Sequence, residues 1–219
     1  MAPTTTPTST TELWKLIHEQ RQKVGDALGS LTDADWETAS LCSGWRVRDV
    51  VAHMVETHLM TPPRFAGKFA AAGFRFNTFA ANGVAAHAAQ TPANLLAQYR
   101  DTASRTTAPP GPKVTWLAEA VIHGEDVVRP TGRSVAISPV TLAAVADFCH
   151  GSTQLLHGKQ RSAGLRLRAT DINWTAGGGA DVSGPAASLI LAITGRQPAL
   201  SDLSGDGVET LRSRLSGTS

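Results

Sequence analysis

Apolar residues recur at helical spacing in four separate stretches of the first two-thirds of the chain, and this repeated stripe limits the fold more than any other feature. Leu13, Ile17, Val24, Leu28 and Leu31 fall on one side of a helix predicted over about residues 11–29. Val47, Val50, Val51, Met54 and His58 share a face of a second helix, over about 47–60. Thr91-Pro92 supplies an N-cap and a first-turn proline for a third, which carries Leu95, Leu96 and Tyr99 and runs to about 105. Trp116, Ala120, His123 and Val127 line a fourth over about 115–128, ended by Pro130 and Gly132. A helix with one apolar stripe buries it by packing on other such helices, so the expected architecture is a four-helix bundle.

Pro62-Pro63 is expected to stop the second helix, and residues 65–89, rich in Ala, Phe and Gly, read as a partly helical connection. Past residue 132 the pattern changes. A helix over about 139–156 leads into residues 165–169, which alternate with period two, and then into 172–175; both stretches read as strands. Gly177-Gly178-Gly179 is a turn without the Lys-Ser/Thr of a phosphate loop, and Gly184-Pro185 opens a helix through Ile193. The fold class is therefore α+β: a helical bundle over residues 11–132 followed by a small α/β domain over 139–215.

Twenty Lys and Arg against eighteen Asp and Glu leave a net charge of +2, and the basic residues are scattered, which argues against a nucleic-acid groove. No apolar run approaches the roughly 18 residues of a membrane span, and the opening MAPTTTPTST lacks the charged start and apolar centre of a secretory signal. The chain thus reads as cytoplasmic, with Cys42 and Cys149 as two reduced thiols outside any CxxC spacing.

Glu119 and His123, four apart on the fourth helix, lie on the same side as its apolar stripe. A carboxylate beside an imidazole on a core-facing stripe is costly to desolvate unless compensated. A divalent metal that takes further ligands from another helix compensates it; a Glu–His hydrogen bond at the bundle edge is the other reading. The second helix offers His53 and His58 as a third ligand. Periodicity favours His58, in phase with Val51 and Met54, over His53 at the edge of the apolar face. His150 and His157, seven apart, read as a solvated helix face.

The segment Cys42-Ser43-Gly44-Trp45-Arg46-Val47-Arg48-Asp49-Val50-Val51-Ala52-His53 resembles the C-x-G-W-x-V-x-D-V-x-A-H start of the second helix in the mycothiol-dependent maleylpyruvate isomerase family, which has a DinB-like metal-binding four-helix bundle. Glu119-Ala120-Val121-Ile122-His123-Gly124-Glu125-Asp126 is similar to its E-x-x-x-H-x-x-D fourth helix. Ala169-Thr170-Asp171 with Trp174, Ser183-Gly184-Pro185-Ala186 and Thr194-Gly195-Arg196 resemble the family's sterol-carrier-like C-terminal domain, with Gly205-Asp206 as its closing turn. The likeness extends over about residues 12–215, without a matching motif between Pro62 and Thr115.

Carried over, the resemblance implies that His53, Glu119 and His123 hold one divalent metal, zinc first among the candidates, with water at the open positions; His58 then belongs to the core or its border. It implies mycothiol as thiol co-substrate and a small electrophile as substrate, in an isomerase or thiol-transferase reaction. Such a cofactor supplies the thiol, so Cys42 reads as a packing residue rather than a nucleophile. Arg196 either pairs with a substrate carboxylate or answers the dipole of a helix end. Trp45 is a pocket wall or a staple onto the core, and Asp126 is within reach of the outer nitrogen of His123. The alternative function is a metal-containing ligand-binding or stress-related protein without turnover. A monomer or a homodimer is expected.

Overall fold

The computed structural model describes residues 9–87 and 89–216; residues 1–8, most of the Thr- and Pro-rich opening, lie outside them. One compact unit spans Thr10–Ala136. Its elements are α1 (Thr10–Leu28), a short α2 (Asp33–Glu37), α3 (Val47–His58), α4 (Pro62–Ala71), α5 (Phe76–Ala85), α6 (Pro92–Thr102) and α7 (Val114–Val128), closed by a 3-10 turn, Arg129–Thr131. The four predicted stripes are α1, α3, α6 and α7, and they bury Val24, Leu28, Val50, Val51, Met54, Leu95, Tyr99 and Val127 in one core.

Two elements depart from the sequence reading. The polar stretch after α1 contains α2, because Thr32 and Asp35 form a reciprocal cap: the Asp35 N–H donates to Thr32 Oγ1 at 3.3 Å and the Thr32 N–H to Asp35 Oδ2 at 2.8 Å. That short helix buries Trp36. Pro62-Pro63 begins a helix as well as following one, since Thr61 Oγ1 accepts from the Arg64 N–H at 3.4 Å and proline suits the first turn. The connection is thus two helices, and its weak periodicity has a cause: α4 buries no residue fully and α5 buries only Gly83.

The directions of the long helices follow from contacts at their ends. Lys113 Nζ lies 5.5 Å from the Trp14 ring centre, and Arg133 Nη2 donates to Ser30 O at 3.1 Å, so α1 and α7 run parallel. Arg48 Nη2 donates to Gln90 O at 2.6 Å and His58 Nδ1 meets Thr102 Oγ1 at 3.1 Å, so α3 and α6 run parallel. Arg21 Nη1 reaches Arg105 O at 3.2 Å and Arg100 Nη2 reaches Gly25 O at 3.3 Å, which sets α6 antiparallel to α1. Each of α1 and α3 packs chiefly on α6 and α7, and α4 with α5 returns the chain between two helices of the same direction. Gly124 permits the close approach of α7 to α1, because a Cβ there would stand 2.8 Å from Val24 Cγ2.

The second unit begins at Ile137. It contains α8 (Pro139–Gly151), α9 (Gly158–Arg161), β1 (Leu165–Ala169), β2 (Thr175–Gly177), β3 (Ala180–Gly184), α10 (Ala186–Ile193), a 3-10 stretch Gln197–Asp202, and α11 (Val208–Ser216). The sheet order is β2-β1-β3, with Leu167 opposite Ala176 in the antiparallel pair and opposite Val182 in the parallel one. Here α8 ends at Gly151, earlier than the sequence suggests. Residues 170–174 bend instead of pairing, and Trp174 Nε1 donates to Asp147 Oδ1 at 2.8 Å. The strand expected there begins only at Thr175, and β3 precedes the helix predicted from Gly184. The triglycine is the tight passage between β2 and β3: Gly179 has φ 114° and a Cβ on it would overlap Gly164 O. His150 is half-buried and bonded to Ser162 Oγ at 2.9 Å, so it does not belong to a solvated face. Among the described residues no helix is long and apolar enough to cross a membrane.

Candidate metal centre

The start of α3 is fixed by charge. Asp49 Oδ2 accepts from the Arg46 N–H at 2.9 Å, and Glu37 takes Arg46 at 2.6 Å and Arg48 at 2.7 Å. Trp45, just before this start, packs on the bundle core and lays its ring 5.2 Å from that of His53. Its packing on the core is that of a staple. The Leu41 N–H donates to Asp126 O at 3.2 Å, which ties the loop before α3 to α7.

On this frame His53 from α3 meets His123 from α7, ring centres 5.0 Å apart and planes at 78°. Asp126 is fully buried and accepts from His123 Nδ1 at 2.9 Å. A carboxylate on Nδ1 holds the proton there and leaves the Nε2 lone pair for a ligand. One turn earlier on α7, Glu119 has both carboxylate oxygens shielded from solvent and without a hydrogen-bond partner. Burial pushes its carboxyl above the usual range, against the pull of Arg21 and His123. Burial, reinforced by His123, lowers His53 to about 3 against the opposing charge of Asp126, so its ring is neutral at physiological pH.

A buried carboxylate with two partnerless oxygens, one turn from an imidazole, is costly unless something compensates it, and a divalent cation is a partner of the right chemistry. Among the described residues, no three His, Cys, Asp or Glu side chains are gathered into a ready-made cage. The structure brings His53 and His123 together, while Glu119 lies one turn before His123 on α7 and is not gathered with the pair. His58, which periodicity favoured, points into the core with no exposure, its Nδ1 on Thr102 and its ring 5.1 Å from Tyr99.

Arg196 belongs to the second unit, where it follows α10: its N–H donates to Leu191 O at 2.9 Å and its Nη1 to Thr194 O at 3.0 Å. Cys42 is half-buried against the bundle core, and Cys149 is buried, its thiol pushed up to about 12. Sequence reading missed Arg21, which is fully buried with Nε and Nη2 unpartnered. Its signal was its place, four after Ile17 and three before Val24 on the apolar stripe of α1.

Comparison with protein families matches residues 17–128 to the mycothiol maleylpyruvate isomerase N-terminal domain. Among solved structures, the crystal structure of the mycothiol-dependent maleylpyruvate isomerase aligns with a TM-score of 0.62 at 15% identity, covering 91% of this chain and 93% of that one. A histidine-to-alanine mutant of that enzyme aligns with the same values. No curated protein matches the sequence.

Proposed function

The chain belongs to the mycothiol maleylpyruvate isomerase family, and from that membership we propose that it is a divalent-metal-dependent, mycothiol-dependent isomerase or thiol transferase acting on a small electrophile. One observation carries the metal reading: a buried carboxylate with two partnerless oxygens, Glu119, one turn from a histidine that lies 5.0 Å from a second.

In this reading His53, Glu119 and His123 hold the metal, zinc first. When bound, it supplies a Lewis acid that lowers the pKa of a thiol and polarises a substrate oxygen. Asp126 keeps the proton of His123 on Nδ1 and so aims Nε2 outward. Trp45 lies against the ring of His53. Of the two readings of Arg196, this one takes it to pair with a carboxylate of the substrate. The chain needs no nucleophile of its own, in keeping with the burial of Cys149.

The test is metal analysis followed by turnover. We expect about one zinc per chain, lost in His53→Ala, a cobalt-substituted spectrum that responds to added thiol, and isomerisation of maleylpyruvate or transfer to another electrophile with mycothiol. Bound metal without any response to thiol would favour a ligand-binding protein without turnover. A wild-type chain that binds no divalent metal overturns the reading.

A further inference from the structure

Five of the chain's six phenylalanines lie within residues 65–79, on α4, on α5 and in the turn between them. Phe69 is their hub, its ring centre 5.3 Å from that of Phe65, 5.7 Å from Phe74, 6.4 Å from Phe76 and 6.0 Å from Phe79. None of the five belongs to the bundle core. Phe74 is 72% exposed and Phe76 51%, more than any other large apolar side chain among the described residues. Rings held in water at the end of an aromatic cluster mark a surface that something else covers.

The backbone makes these rings project. The Gly73 N–H donates to Ala70 O at 2.9 Å and the Phe74 N–H to Phe69 O at 3.0 Å, the paired bonds that close a helix on a left-handed glycine. Gly73 has φ 64°, as such an ending requires, and the ending accounts for the contact of Phe74 with Phe69. It does not account for Phe74 itself, which has φ 58° and stands mostly in solvent. That conformation is disfavoured for a residue with a bulky side chain, and glycine or asparagine is its ordinary occupant.

The same stretch is one-sided in charge. Between Glu56 and Asp101 the sequence has no acidic residue, whereas Arg64, Lys68 and Arg75 are basic. Glu56 answers Arg64 and Lys68 together, and these side chains remain 40% and 37% exposed. Arg75 is exposed between Phe74 and Phe76. Positive charge is therefore in excess around the rings.

Aromatic rings beside arginine and lysine suit the interface of an anionic bilayer, where rings settle at headgroup depth and cations meet phosphate. A second copy of the chain would set these cations against their own kind. A bilayer, being fluid, also needs no recess fitted to a convex tip. We propose that the α4–α5 turn is a peripheral membrane-docking surface: Phe74 and Phe76 enter the headgroup region of an anionic bilayer, and Arg75, with Arg64 and Lys68, meets its phosphates. The surface uses none of the proposed metal ligands and does not depend on a bound metal.

Sedimentation of the full-length protein with vesicles of phosphatidylglycerol and phosphatidylcholine in equal parts, and with vesicles of phosphatidylcholine alone, tests it. Binding to the anionic vesicles is expected, weakening as salt is raised, with at least about tenfold less to the neutral ones. Arg75→Gln should weaken it about fivefold and Phe74→Gly at least about tenfold. Glycine suits the left-handed turn, so the thermal midpoint of Phe74→Gly should not fall, and its lost binding then reports the surface rather than the fold. Should that midpoint fall, Phe76→Ala decides, and unchanged affinity in it overturns the proposal. Absence of binding to the anionic vesicles overturns it, as does equal binding to the neutral ones or undiminished binding by a stably folded Phe74→Gly. A concentration-dependent dimer that Phe74→Gly dissociates overturns it too, by assigning the rings to a second copy.

Discussion

His53 couples the fold to pH. The unfolded imidazole takes a proton near its ordinary value of 6.5, whereas the folded ring stays neutral down to about 3. Its contribution to stability is therefore complete above 6.5 and is lost as pH falls toward 3, at about 1.4 kcal/mol per pH unit. Urea unfolding of the chelated protein at pH 7.5 and pH 5 should show this loss, and His53→Phe should lose measurably less over the same interval. An equal loss in the two proteins would mean that other groups carry the acid sensitivity. At this scale the sequence was readable wherever spacing alone decides. Glu119, His123 and Asp126 are fixed to one another by the geometry of a single helix. The choice between His53 and His58 was not: phase favoured His58, and only the motif resemblance pointed to His53, whose ring the structure lays against His123. The partnerless edge of Arg21 depends on what three other helices fail to bring near it, which no local pattern encodes.

The long helices are held at contacts that single atoms can upset. Gly124→Ala gains intrinsic helix propensity, up to about 1 kcal/mol, yet places a methyl against Val24. Forced separation of α1 from α7 is the larger effect, and a net destabilisation of about 1–3 kcal/mol is expected in urea. A more stable variant would show that the two helices yield freely there. The α4–α5 connection is fastened differently: buried Glu56 on α3 receives Arg64 at 3.2 Å, Lys68 at 2.5 Å and His87 at 3.5 Å. Glu56→Gln removes the charge that all three share. Amide exchange over residues 62–87 is expected to quicken, with α1, α6 and α7 keeping their protection. Caps were the recoverable signals here, Thr32 with Asp35 and Thr61 before Pro62. What hid α4 and α5 was the lack of a buried stripe, since a helix that packs little writes little periodicity into its sequence.

The chain divides near Ile137 into two compact units. Residues 10–136 produced alone are expected to be strongly helical by circular dichroism and, if the metal reading holds, to bind about one zinc per chain. A disordered fragment would show that the bundle requires the rest of the chain. Bundle and sheet classes were both evident from the change of period after residue 132, but β3 and the bend at residues 170–174 were not. Pairing with β1 in opposite directions on its two sides is a non-local choice that alternation cannot reveal.

Neighbours in space within the bundle are strangers in sequence. Because α1 and α3 find their main partners in α6 and α7, neither half of the bundle has an inside of its own. During synthesis the first half must wait, its apolar stripes uncovered, until α7 has left the ribosome. His53 and His123 are parted by that same interval, so a chain that stops before α7 cannot bring the two rings together.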